Sequence, residues 1–224
     1  MATLELTKLR LLEAAGEEFA EKGFAAARVR TICDRAGANF AAVNYHFGGK
    51  EQLYVAAVLE AHRCGTAIPP DAALGDATPA GQLRQYIHFF LSNVLAMKRE
   101  THTWHSVLLL REMLQPSAAL EALVREAIRP RFERLVAIFR EVCPEADELR
   151  LAALACSVVG QCLHYKTAAA ITERLVGPEA YAALDLDYLT DHISGFCLAA
   201  LGLAPPLNPA GETAVPEAAF AGRP

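Results

Sequence analysis

The chain has 224 residues, 53% of them hydrophobic and 8% aromatic, enough to bury a sizeable core in one large or two small domains. No run reaches the ~18 uninterrupted apolar residues that span a bilayer, and the start, Met1-Ala2-Thr3-Leu4-Glu5, lacks the regions of a signal peptide; a cytoplasmic protein with no membrane partner is expected. The net charge of −5 excludes a uniformly basic nucleic-acid binder.

That charge is unevenly spread. Residues 1–63 balance three Lys and five Arg against seven Glu and one Asp, while within 28–50 Arg28, Arg30, Arg35 and Lys50 face only Asp34. A small basic patch of this kind suits a local phosphate-contacting footprint. Six cysteines, Cys33, Cys64, Cys143, Cys156, Cys162 and Cys197, show no C-x-x-C spacing and fall mostly on apolar helix faces, as buried thiols do. Cys156 and Cys162 are too far apart along one helix to bridge within it, so only an inter-helix or inter-subunit pair could form.

Every predicted element is helical. From Thr7 to Glu21, Leu9, Leu12, Ala15, Phe19 and Ala20 recur at helical spacing, and Gly23 ends the run. Arg28 to Ala36 follows as a second helix with Val29, Ile32 and Cys33 turned inward. Gly37 supplies a sharp turn, Asn39 an N-cap, and a very short third helix carries Val43 and Phe47 inward. Two short helices joined through a glycine are the sequence form of a helix-turn-helix, whose second helix enters the DNA major groove. Asn39, Phe40, Ala42, Asn44, Tyr45 and His46 are then expected on the outer face, where Asn can bond adenine edges, small apolar groups can touch a thymine methyl, and Tyr and His can reach phosphates. Arg28, Arg30 and Lys50 are the expected phosphate contacts.

These residues also carry a resemblance. Gly23-Phe24, Ile32, Ala36-Gly37, Val43, Tyr45-His46-Phe47 and Lys50-Glu51-Gln52-Leu53 resemble the N-terminal DNA-binding domain of the TetR family of transcriptional regulators over about residues 7–63. Asn44 to Glu51, with Val159-Gly160-Gln161-Cys162-Leu163, further resembles the CecR-like (YbiH-like) subgroup. The resemblance implies a three-helix DNA-binding domain, an all-helical effector domain and a homodimer. Ala27-Arg28, Ala41 and Asn44 depart from the Thr pair, Gly and Tyr common in the family, so no operator sequence carries over.

A fourth helix runs through Leu53 to Arg63, and the Pro- and Gly-rich stretch 64–80 reads as an inter-domain loop. Further helices are predicted over Gln82–Met97, His102–Leu114, Ala118–Val142 with a kink or division at Pro130, Glu148 to about Ile171, and Tyr188–Leu203, with a short one around Glu179–Leu184. The tail from residue 204 reads as disordered. The fold class is therefore all-α, with a helix-turn-helix domain at 1–63 and a larger effector-binding and dimerisation domain at 81–203.

Two constellations stand out in that second domain. Phe89, Phe90, Asn93, Trp104, Leu108, Arg111, Gln161, His164 and Tyr165 offer apolar walls with a few polar groups, as a pocket for a small apolar or amphipathic effector requires. Ala152, Ala153, Cys156, Val159, Gly160 and Leu163, with Ile193 and Phe196, suit a four-helix interface between two copies. His88, His102 and His105 lack the Cys or carboxylate partners of a metal motif, and no cofactor is implied. The sequence thus predicts a DNA-binding repressor that an effector releases from double-stranded operator DNA, with control of efflux or drug-sensitivity genes the subgroup's implication. A helical adaptor without DNA binding and a helical enzyme using His164 with Cys162 stay open at this stage.

Overall fold

The structure, a computed structural model, describes residues 2–65, 78–99 and 104–205. Among these, every regular element is helical: α1 (Ala2–Ala26), α2 (Val29–Ala36), α3 (Phe40–Phe47), α4 (Lys50–Gly65), α5 (Pro79–Arg99), α6 (Trp104–Leu114), α7 (Ala119–Leu123), a π turn (Val124–Ile128), α8 (Arg129–Val142), α9 (Glu148–Thr167), α10 (Ala169–Val176), α11 (Pro178–Ala183) and α12 (Leu186–Ala200). Most of the expected loop at 64–80 and of the tail from 204 lies outside the described residues, as does His102.

Local chemistry sets the boundaries. Gly23, at φ 74°, breaks α1 near its end, and Gly37, at φ 61°, closes α2. Asp147 and Asp185 cap α9 and α12 through side-chain oxygens that accept the amides of Arg150 (2.7 Å) and Tyr188 (2.9 Å). The division expected at Pro130 takes the form of the π turn just before it. Proline offers no N–H to the preceding turn and its ring crowds the carbonyl four residues back, so the wider turn relieves both. The helix expected to reach Ile171 breaks instead at Ala168, where φ is −109°.

Two apolar cores result. The first gathers Leu11, Phe19, Ile32, Val43, Leu53, Ala57 and Val58 from α1–α4, together with Trp104, Leu108 and Leu109 of α6 and Ala119 and Leu123 of α7. The second joins α5, α8, α9 and α12 through Leu83, Ile87, Leu91, Leu135, Phe139, Leu151, Val158 and Leu189. Thus α6 and α7, which follow residue 81, belong by packing to the same core as the helix-turn-helix.

Arg131 of α8 reaches His62 of α4 between the cores, its Nη1 lying 2.9 Å from Nε2. A guanidinium can only donate, so Nε2 accepts and the imidazole is neutral. Burial and the adjacent guanidinium push the His62 imidazole down to about 4. The unfolded chain takes a proton there near pH 6.5 while the native one resists, so stability is full above pH 6.5 and falls as pH drops toward 4. Urea titrations at pH 7.5 and pH 5 should differ by about 1 to 2 kcal/mol, allowing for partial solvent screening. His62→Gln should flatten this interval; an unchanged slope would assign it to another group.

Candidate nucleic-acid interface

The helix-turn-helix is α2, the turn at Gly37 and α3. Asn39 caps α3 by accepting the Ala42 amide at 2.9 Å, and Gly48, at φ 82°, ends it. Val43 is buried and Phe47 half-buried against the first core, as their spacing requires. Phe40 (60% exposed), Ala41, Asn44 and Tyr45 (74% exposed) form the outer face.

Two expected members of that face sit differently. Ala42 packs against the first core and His46 is half-buried, because residues 42, 43, 46 and 47 share the inward arc and leave 40, 41, 44 and 45 outside. Ala41, which the sequence reading passed over, is the small residue that α3 presents. Its place one turn before Tyr45 was the available signal.

The charges around the motif fall into two groups. Glu18 is fully buried in α1 and holds the motif in place: Lys22 donates to its carboxylate at 3.0 Å, the Arg28 amide at 3.2 Å, and Arg35 lies 3.5 Å away. Burial pushes this carboxyl up, but Lys22, the Arg28 amide and Arg35 outweigh burial and hold it below the ordinary carboxylate value. Arg35 also meets Glu17 and Glu21 at 3.7 and 3.4 Å, so it is part of the scaffold. Lys50 is tied down too, donating to the Ala25 carbonyl at 3.4 Å with its ammonium 4.8 Å over the Phe24 ring. That leaves N–H groups of the ammonium for a phosphate. Arg28 and Arg30 are exposed beside the first turn of α2, where the helix dipole and unbonded amides favour an anion.

Helix α6 binds this unit to the rest of the chain. Its Trp104 indole donates to Glu13 at 2.7 Å, and the ring lies against Gly16 of α1. Arg111 donates to the Ala20 and Glu21 carbonyls at 3.2 and 3.5 Å, near the break at Gly23. Glu112, fully buried, accepts from the Tyr54 hydroxyl of α4 and the Ser117 amide, each at 2.8 Å.

The structure therefore divides the expected effector set. Trp104, Leu108 and Arg111 face α1 and α4 rather than α5 and α9, and Trp104 lines a different cleft from Gln161, His164 and Tyr165. Phe89, Phe90 and Asn93 are half-buried on α5, with Phe90 stacked 6.2 Å from Tyr86. Gln161, His164 and Tyr165 line a cleft of about 340 Å³ with Gly160, His192 and Ile193. A second cleft, of about 460 Å³, lies between α1 and α6 and includes Glu13, Glu17, Glu21, Trp104 and His105. Of the expected interface residues, Ala153, Cys156, Gly160 and Phe196 (47%) are exposed, while Ala152, Val159 and Leu163 are half-buried. Ile193 is a core residue, since Leu189, Ile193 and Cys197 form the inward arc of α12.

A three-helix unit with a capped, outward-facing short helix beside two exposed arginines defines a helix-turn-helix DNA-binding protein. Residues 11–57 match the family described as bacterial regulatory proteins, tetR family, and residues 79–201 match the family described as HTH-type transcriptional dual regulator CecR, C-terminal domain. The chain is 30% identical over 173 residues to the HTH-type transcriptional dual regulator CecR of Shigella flexneri, covering 72% of this chain and 76% of that protein. It belongs to the TetR family, in its CecR-like branch. Two solved structures share the fold. A TetR-like regulator from a Rhodococcus species is 20% identical, with a TM-score of 0.53 over 88% of this chain and 96% of that one. FadR of Bacillus subtilis, solved with stearoyl-CoA, is 16% identical, with a TM-score of 0.60 over 85% of this chain and 97% of that one. The chain is a DNA-binding transcriptional regulator, and its relatives are regulators rather than enzymes. No described helix is long and apolar enough to cross a membrane.

Proposed function

We propose that the chain is a homodimeric repressor that reads operator DNA with α3 and leaves it when a small molecule binds the second core. The observation that carries the reading is the exposed face Phe40, Ala41, Asn44 and Tyr45 beside Arg28 and Arg30. Tyr45, Arg28, Arg30 and Lys50 fix the protein on phosphates, while Asn44 and Ala41 meet base edges. Ala153, Cys156, Gly160 and Phe196 pair with their two-fold mates. Two copies of α3 then need a separation of ~34 to 36 Å, or a multiple, to enter successive major grooves. Effector binding favours a different separation, transmitted from the second core through Arg131 of α8 to His62 of α4. Operator and effector therefore weaken each other by the same factor. By likeness to the Shigella dual regulator, activation at other promoters is a second expected output, and drug-sensitivity genes are the proposed targets.

Selection from a random duplex library should enrich a two-fold-symmetric site. Fluorescence anisotropy on that site at two salt concentrations should show tight, salt-dependent binding, which Tyr45→Ala weakens about tenfold or more without changing the melting temperature. No enriched sequence, or equal binding by both proteins, would sink the reading. The adaptor alternative predicts that second outcome.

A further inference from the structure

The cleft between α9 and α12 has a distinct chemistry. Gly160, Gln161, His164 and Tyr165 line one side, His192 and Ile193 the other. Four rings gather around it: His164 stands edge-on to Tyr165 at 5.4 Å, and Tyr188 stacks on His192 at 6.2 Å with planes 9° apart. No carboxylate lines it, unlike the cleft between α1 and α6 with its three glutamates. Asp191, next to His192, is held by Arg84.

The hydrogen-bond roles are partly fixed. Thr172 donates its hydroxyl hydrogen to the Ala168 carbonyl at 3.0 Å, so its oxygen accepts from His164 Nε2 at 3.2 Å, leaving His164 Nδ1 for a ligand. Gln161 donates to the Cys197 sulfur at 3.6 Å, which orients its amide. Tyr165 and His192 add a phenol and a second imidazole. A carboxylate suits such a set, since it only accepts, and the Tyr165 phenol, the second N–H of the Gln161 amide and the N–H of the His192 imidazole can each donate to it. Flanking rings stack with a planar body, and about 340 Å³ lies at the small end of ligand pockets.

One wall is unfinished. Gly160 is exposed at the rim, with nothing within 4 Å of where a Cβ would lie, and it belongs to the exposed row Ala153, Cys156 and Gly160 assigned above to the second subunit. We propose that this cleft binds an aromatic carboxylic acid and that a second copy of the chain closes it, so that the effector site lies at the subunit interface. The inference rests on the homodimer reading, and it couples effector binding directly to the angle between subunits.

Anthranilate is a fluorescent probe of this class. Titrated into wild type, shown to be a dimer by sedimentation equilibrium, it should saturate; benzoate should displace it and benzylammonium should not. His192→Ala and His164→Ala should each weaken binding about tenfold or more, and His105→Ala, in the other cleft, should not. Gly160→Arg should give a monomer that loses binding by a similar factor, with Phe196→Glu as the second variant if the first fails to fold by circular dichroism. A wild-type dimer that ignores anthranilate, or releases it equally to benzylammonium, overturns the ligand class while the homodimer stands. A monomeric variant with wild-type affinity overturns the shared site alone. A monomeric wild type overturns the homodimer reading and the shared site with it.

Discussion

Glu112→Ala should lower the free energy of unfolding by about 3 kcal/mol. The carboxylate is fully buried and receives the Tyr54 hydroxyl, the Ser117 amide and the Ser117 hydroxyl, the last at 3.0 Å. Removing it strands the Tyr54 hydroxyl in a site 4% exposed and frees the turn into α7. A charge held by hydrogen bonds from two other elements is worth more than a surface pair, and its loss leaves donors unpaired rather than hydrated. Urea denaturation should show the drop with an unchanged m-value. Tyr54→Phe, which removes one donor and keeps the ring, should cost only about 1 kcal/mol. Equal costs for the two would mean that Ser117 contributes nothing.

Gly16→Ala should also destabilise, by about 2 kcal/mol, although helix propensity alone favours Ala by about 1 kcal/mol. A Cβ at Gly16 would lie under 3.0 Å from the Trp104 ring, which is held by its bond to Glu13 and by burial. The indole must leave its seat, so the steric term outweighs the propensity gain. A double-mutant cycle with Trp104→Leu decides the cause: the second substitution should recover most of the loss. Additive costs would show that the ring is not what Gly16 accommodates. Near-ultraviolet circular dichroism of the lone tryptophan gives an independent readout.

The helix-turn-helix was legible in sequence because its signals are local. Gly37, the Asn39 cap and the Val43–Phe47 pair each act within a turn or two of themselves. The error at Ala42 and His46 came from treating two inward residues as the whole inward face, when a packed helix buries a wider arc. Glu18 and Glu112 were missed because acidic side chains are rarely fully buried. A signal existed for both: Glu18 falls in the arc of Leu11, Ala15 and Phe19, and Glu112 in that of Leu108 and Leu109. The expected effector set is divided between two places for a different reason. Periodicity says that α6 has an apolar face but not which helices it meets, and here its partners lie 58 residues earlier in the chain at Tyr54 and 91 earlier at Glu13 and Ala20. Gln161, His164 and Tyr165 did fall together because they are neighbours on one helix.

The first core has a consequence for how this protein can be rebuilt. With Trp104, Leu108 and Leu123 inside it, the reading head is not a detachable cassette ending at the fourth helix. A chimera that joins residues 1–63 to another sensor would expose the apolar seat of α6 unless the donor brings a helix shaped for Gly16 and for the Tyr54 hydroxyl. Grafts are better cut after the π turn, so that reader and lever travel together.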